Sequence, residues 1–420
     1  MEHDANRGAA QIVSGSPASA SIPGDGPAFK TAALAALALT AASTGVIIPS
    51  LGSLIRETGH GSFAIGVFSA AHVLGGAIGA AFGARALRRA GSARRLAIAA
   101  LIASVAVTLA MAAFASLDLR IALRLVDGGC HLLAITALVA AATAGAPDQR
   151  AGRAVILGVA IVLGVAGGIG VGTQFVRPDM ALIMAAVLSG AALATVVSRI
   201  AAEAPLPPRP PRARDRDRGP IAPGLLAFCE RFSFGSMTVA LADLASSRQI
   251  GLVLGVFLVA STLALVAAWR IAPTLAPRRL AVRSALGFTL ALAASAVVDI
   301  LGSPGLAALW GALAGAAAGS LYASALVLAT RSADIEDRAR GMATLHAAGS
   351  AGHALGALSA GSLAAALPGM LVIAVPGVAV ILTAAIGVWL TVPDAGKDCP
   401  VIGGLDSDPA APAATPASRQ

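Results

Sequence analysis

Residues 154–173 read AVILGVAIVLGVAGGIGVGT. No charge and no amide side chain interrupts them. One bilayer crossing needs about 20 apolar residues, so this stretch spans a membrane as a helix. Strands of an outer-membrane barrel alternate apolar and polar positions instead. Gly164, Gly167, Gly168, Gly170 and Gly172 leave a nearly bare ridge, which lets another helix approach closely.

Similar runs flank it on both sides. They cover about 32–51, 62–83, 96–115, 119–144, 152–175 and 179–199, then 222–244, 249–271, 280–301, 304–329, 341–366 and 369–392. The chain of 420 residues is 57% hydrophobic and 12% charged, with a mean hydropathy of +0.82. Soluble domains carry roughly twice that share of charge. The expected fold is an all-α polytopic membrane protein with twelve transmembrane helices. Residues 1–29 and 393–420 read as disordered tails. Residue 1–29 composition lacks the basic start and short apolar core of a signal peptide.

The longest internal polar segment, 200–221, is rich in Pro and alternates Arg with Asp. It reads as a linker between two six-helix halves, 30–199 and 222–392. Basic loops after spans 2 and 8 occupy corresponding places, which suggests that the halves repeat one unit. Of the 30 Lys and Arg, 24 fall in the two tails, the linker and the loops on their side. The positive-inside rule puts that side, with both termini, in the cytoplasm of an inner-membrane protein. The net charge of +9 therefore reports topology, not a nucleic-acid partner. Cys130, Cys229 and Cys399 lack disulfide or zinc spacing.

This organisation resembles the major facilitator superfamily. After span 2, Gly83, Arg88, Arg89, Gly91, Arg94 and Arg95 are similar to that family's glycine-and-basic loop, without its aspartate. In span 4, Arg124, Asp127 and Gly128 resemble an Arg-x-x-polar-Gly pattern. In span 5, Gly164, Gly168, Ile169, Gly172 and Thr173 resemble the glycine pattern of drug–proton antiporters, with the proline lost. Gly352, Gly356, Ala357 and Gly361 repeat the arrangement in span 11. The resemblance implies alternating access by two rocking halves, with spans 1, 4, 7 and 10 lining a central cavity.

Charges inside a span are costly and usually functional. Arg124, Asp127 and His131 fall at i, i+3 and i+7, on one stripe of span 4. Water that enters and leaves such a site changes the cost of a charge there, which suits proton coupling. Span 7 holds Glu230 and Arg231, which as neighbours point about 100° apart, so they are expected to face different partners. The proton-coupling candidates are Asp127, His131 and Glu230. The substrate-cavity candidates are Thr40, Ser43, Thr44, Arg124, Arg231, Trp310 and Tyr322. Gly83, Arg88, Arg89, Gly91, Gly164, Gly168, Gly172, Gly352 and Gly356 are packing or conformational candidates. The span 5 ridge is expected either to pack tightly or to slide between the halves. His72, His346 and His353 are polar islands, suited to interhelical hydrogen bonds more than to relays or metals.

No nucleotide loop, metalloprotease motif or nucleophile elbow is present, so no enzyme, cofactor or metal is expected. The expected function is proton-coupled efflux of a small amphipathic molecule such as a drug, natural product or siderophore, by a monomer. The alternative is proton-coupled uptake of a small anion or metabolite, which Arg124 and Arg231 would serve equally.

Overall fold

The computed structural model describes residues 27–142, 150–200, 221–271, 277–296, 303–330 and 335–392. Both tails and all but the ends of the 200–221 linker lie outside them. Twelve long helices follow one another, and no strand occurs among the described residues. They are α1 (Pro27–Gly45), α2 (Ser62–Ala90), α3 (Ala93–Ala113), α4 (Leu117–Ala142), α5 (Arg150–Gly172) and α6 (Pro178–Arg199). After the linker come α7 (Ile221–Leu244), α8 (Ser247–Ile271), α9 (Pro277–Ala293), α10 (Pro304–Thr330), α11 (Ile335–Leu363) and α12 (Leu371–Thr391). A 3-10 turn (Ile48–Ser50) and a short helix (Leu51–Arg56) continue the apolar segment of α1. Among the described residues, nine segments are long and apolar enough to cross a membrane, and α5 adds the shorter Ile156–Gly172. The remaining two, α9 and α11, are diluted by arginines at the start of one and by Gly, Ser and His along the other.

Local chemistry sets the turns. Gly91 ends α2 at φ +70°, a left-handed conformation that glycine adopts without a Cβ penalty, and its N–H bonds the Leu87 carbonyl. Ser92 then caps α3, its Oγ accepting from the Arg95 N–H at 3.1 Å. Arg88 and Arg89 stand exposed in the last turn of α2. Gly83 is buried against Thr136 of α4.

The two halves pack alike. In the first, α1 meets α4, α5 and α6, while α2 and α3 meet α4 and α3 meets α6. In the second, α7 meets α10, α11 and α12, while α8 and α9 meet α10 and α9 meets α12. Each pair recurs six helices later, so the repeat read from the basic loops is a repeat of structure. The halves meet where α2 crosses α11 and α7, and where α5 crosses α8. Large apolar side chains such as Phe82, Ile102, Leu263, Leu290, Leu313 and Leu390 stay on the outer surface. An apolar exterior around a bundle with buried charges is what a bilayer solvent selects. The protein is an all-α, multi-pass membrane protein of twelve helices in two halves.

Glycines set how close the backbones come. A Cβ on Gly164 or Gly168 would run into the carbonyl of Ala38 or Ala42 on α1, and one on Gly172 into that of Val46 just after it. On α11, Gly352 and Gly356 stand in the same relation to Phe228 and Phe232 of α7. Both ridges therefore pack within a half. For the α5 ridge this is the tight-packing reading: Ile169 and Thr173, not the ridge glycines, approach Gly251 of α8, and a Cβ added at Gly167 or Gly170 would meet nothing within 4 Å. Close inter-half approaches lie elsewhere, where Gly66 of α2 meets Ala357 and Gly361 of α11, and where Gly52 meets Ala242 of α7.

Candidate functional site

Asp127 is the centre of the first polar cluster. Gly75, Gly79, Gly128 and Gly129 let the backbones of α2 and α4 nearly touch. That approach brings His72 of α2 over the Arg124–Asp127–His131 stripe of α4. Asp127 Oδ2 accepts from Arg124 Nη1 at 2.8 Å. Its Oδ1 accepts from Ser104 Oγ at 2.9 Å and from Thr108 Oγ1 at 3.4 Å, both from α3. Arg124 lies over the Phe68 ring, 5.5 Å from its centroid, a cation–π distance. All of these polar side chains are buried. His72 Nδ1 lies 3.3 Å from Asp127 Oδ2 but is not aligned into a hydrogen bond, so it is buried without one. Thr44 of α1 completes the cluster, its Oγ1 lying 3.5 Å from His72 Nε2 and 3.3 Å from both ring nitrogens of His131.

The second cluster is in the other half. Glu230 of α7 is buried, while the Arg231 side chain is 39% exposed. Arg231 Nε lies 3.0 Å from Glu230 Oε2, which corrects the expectation that the two face different partners. The Arg side chain is long enough to bend back. The contact is not an aligned hydrogen bond, and Glu230 Oε2 has none. The guanidinium sits over Tyr322 of α10, 5.6 Å from the ring centroid. Gly349 of α11 leaves room for the Arg231 stem. His353 packs edge-on to Phe234, with centroids 5.6 Å apart. It also lies within electrostatic reach of Arg231 and, across the halves, of His72.

Other candidates are used differently. Thr40 and Ser43 are buried and turn their hydroxyls onto the α1 backbone, at Ala36 and Thr40. Trp310 is buried too, and its Nε1 donates to the Ala291 carbonyl of α9 at 2.6 Å. Its ring packs between α10 and α9, and the structure does not bring it to either cluster. Thr44, Arg124, Asp127 and His131 are brought together, as are Glu230, Arg231 and Tyr322. Sequence reasoning passed over Ser104 and Thr108, whose only signal is a hydroxyl at i and i+4 of an apolar helix. It named His72 only as a polar island.

The ends of the helices opposite the tails carry a third polar group. Arg56 Nη1 lies 3.7 Å from Asp243 Oδ1 and donates to the Asp243 carbonyl at 3.4 Å. Ser247 Oγ donates to the Pro49 carbonyl at 3.0 Å. Gly52 rests directly on the Ala242 backbone. These bonds tie the two halves together at that end. A groove of about 560 Å³ between α5 and α8, lined mainly by Val159, Leu163, Val259, Leu263, Val266 and Ile271, contains neither cluster.

Residues 221–402 match the family model described as Major Facilitator Superfamily. No curated protein matches the chain by sequence. Among solved structures, the crystal structure of a D-xylose-proton symporter superposes with a TM-score of 0.70 at 16% identity, covering 88% of this chain and 98% of that one. The xylose transporter XylE from E. coli, in an inward open conformation, gives 0.70 at 14% identity, with 88% and 97% covered. The nucleoside transporter NupG gives 0.63 at 11% identity, with 86% and 98% covered. At these identities the likeness carries the fold.

Proposed function

We propose that the chain is a monomeric, proton-coupled transporter of the major facilitator superfamily that takes up a small polar molecule by alternating access; the family match over residues 221–402 and the fold shared with solved transporters support that reading. The carrying observation is the pair of buried charged clusters, one in each half, inside an otherwise apolar bundle. Buried charges in a membrane protein are retained where they bind something or move a proton. Tails and linker are cytoplasmic in this reading. The seal of Arg56, Asp243, Ser247 and Pro49 then faces away from the cytoplasm, and the conformer is one that loads or releases from inside.

The part-exposed guanidinium of Arg231, stacked on Tyr322, would meet a substrate rich in hydrogen-bond acceptors. Glu230 and the Asp127–His131 cluster are the proton-coupling residues of this proposal. Symport is supported by the symporter among the structural neighbours. Efflux by antiport is the second reading, favoured by the Gly164–Gly168–Gly172 pattern on α5. The test is proton flux in proteoliposomes on addition of pentoses, nucleosides and organic acids. Symport alkalinises the side from which substrate enters, whereas antiport acidifies it. Substrate movement with no proton movement would overturn proton coupling altogether.

A further inference from the structure

We propose that His72 and His131, bridged by the Thr44 hydroxyl, hold and pass one shared proton, and that Asp127 is a positioning residue for them. The inference rests on the proton-coupled reading above and names the groups that carry the proton.

Asp127 is already occupied. One of its oxygens accepts from Arg124 and the other from Ser104 and Thr108. Protonating it would leave the buried Arg124 charge without its counter-ion, which is strongly disfavoured. The imidazoles have no such commitment. Their centroids are 5.4 Å apart, and their described polar neighbours are Thr44 and, for His72 Nδ1, the unaligned Asp127 carboxylate. Histidine is the side chain that changes charge near neutral pH. A hydroxyl donates and accepts at once, so Thr44 can link the two rings.

The proton balance closes. An imidazolium at His131 gives its N–H proton to Thr44 Oγ1 while the Thr44 hydroxyl gives its own proton to His72 Nε2. His131 ends neutral, Thr44 is again a hydroxyl, and His72 carries the charge beside Asp127. Two imidazolium rings this close repel each other, so the pair titrates as a unit. The charged and titratable groups facing it are Arg124 and Asp127 of α4, and His353 of α11 in the other half. Three elements of one half hold the pair, and the other half supplies His353. Relative motion of the halves would therefore change the field at the shared proton.

The test is a titration of ¹⁵N-histidine side-chain signals of the full chain in lipid nanodiscs, from about pH 5 to 8, assigned with His72→Gln and His131→Gln. In the wild type, both rings should respond to the same transition, with uptake of one proton by the pair. His131→Gln should move the His72 midpoint by roughly one pH unit or more. Thr44→Val should slow proton exchange between the rings, and Thr44→Ser should restore it. Asp127→Asn should alter both signals yet leave them coupled. Two independent transitions assigned to these rings in the wild type would overturn the proposal. So would a Thr44→Val spectrum identical to wild type. If the rings prove coupled but substrate flux moves no proton, the proton-coupled reading fails and the pair stands. If flux moves protons and the rings titrate independently, only the pair fails.

Discussion

Asp127 and Glu230 are both buried carboxylates beside an arginine, one in each half of a repeated scaffold. Their surroundings differ because their spacing differs. Arg124 and Asp127 are three residues apart, so both lie on one face of α4 and meet head-on at 2.8 Å. Ser104 and Thr108, four apart on α3, both donate to the other carboxylate oxygen. Glu230 and Arg231 are adjacent and diverge from the helix. Arg231 has to bend back, stays part-exposed, and leaves Glu230 Oε2 without an aligned donor. One helix scaffold thus holds a closed polar cluster on one side and an open one on the other. The closed cluster suits holding helices and poising histidines, whereas the open one can reach a solute.

The sharpest way to break this comparison is to remove each arginine. Arg124→Ala strands a buried carboxylate, and the expected loss of stability is about 3–5 kcal/mol. Arg231→Ala also leaves a buried carboxylate, but Glu230 has no aligned hydrogen bond to lose and can neutralise itself by taking a proton, so the loss should be clearly smaller than for Arg124→Ala. Thermal unfolding in detergent reads both, and equal losses would end the distinction between closed and open clusters.

Helix approach offers a second comparison, within α5. Gly168→Leu drives a side chain into the Ala42 carbonyl of α1, and overpacking costs roughly 1–3 kcal/mol. A Cβ added at Gly170 would meet nothing within 4 Å, so Gly170→Leu should disturb stability and expression far less than Gly168→Leu. Gly352→Leu, the counterpart in the second half, should behave as Gly168→Leu does. A wild-type Gly352→Leu would mean that the two halves do not share their packing.

Substrate affinity sharpens the open side. Arg231→Lys keeps the charge but loses the planar group over Tyr322. The apparent KM for a transported solute should rise about tenfold, equivalent to about 1.4 kcal/mol. An unchanged KM would place binding elsewhere.

The smallest effect is expected at the seal. Arg56 and Asp243 form a part-exposed pair at 3.7 Å, worth about 1 kcal/mol or less. Arg56→Ala should leave stability intact yet raise thiol labelling of Ser50→Cys, now buried, by an impermeant reagent added from the sealed face. Labelling that stays at its wild-type rate would show that Gly52 and Ser247 suffice to close that face.

The apolar runs could be read as helices because insertion into a bilayer is a transfer free energy summed over about 20 consecutive residues, a local property. The Arg124–Asp127–His131 stripe was legible for a similar reason, since helical periodicity alone puts those residues on one face. The glycine ridge of α5 announced a close approach, but not to which helix. Its partner is α1, more than a hundred residues earlier in the chain, and no local pattern encodes that pairing. The same holds for His72 over Asp127, for Thr44 between two imidazoles, and for Arg56 against Asp243, which are 187 residues apart. Trp310 looked like a cavity residue because an indole suits a substrate ring equally well, and only the fold directs its N–H to Ala291. By itself, the sequence determined which segments are apolar enough to enter the membrane and which helix faces carry charge. The tertiary structure alone decided which of those faces meet, because distant segments pair through the combined packing of all twelve helices.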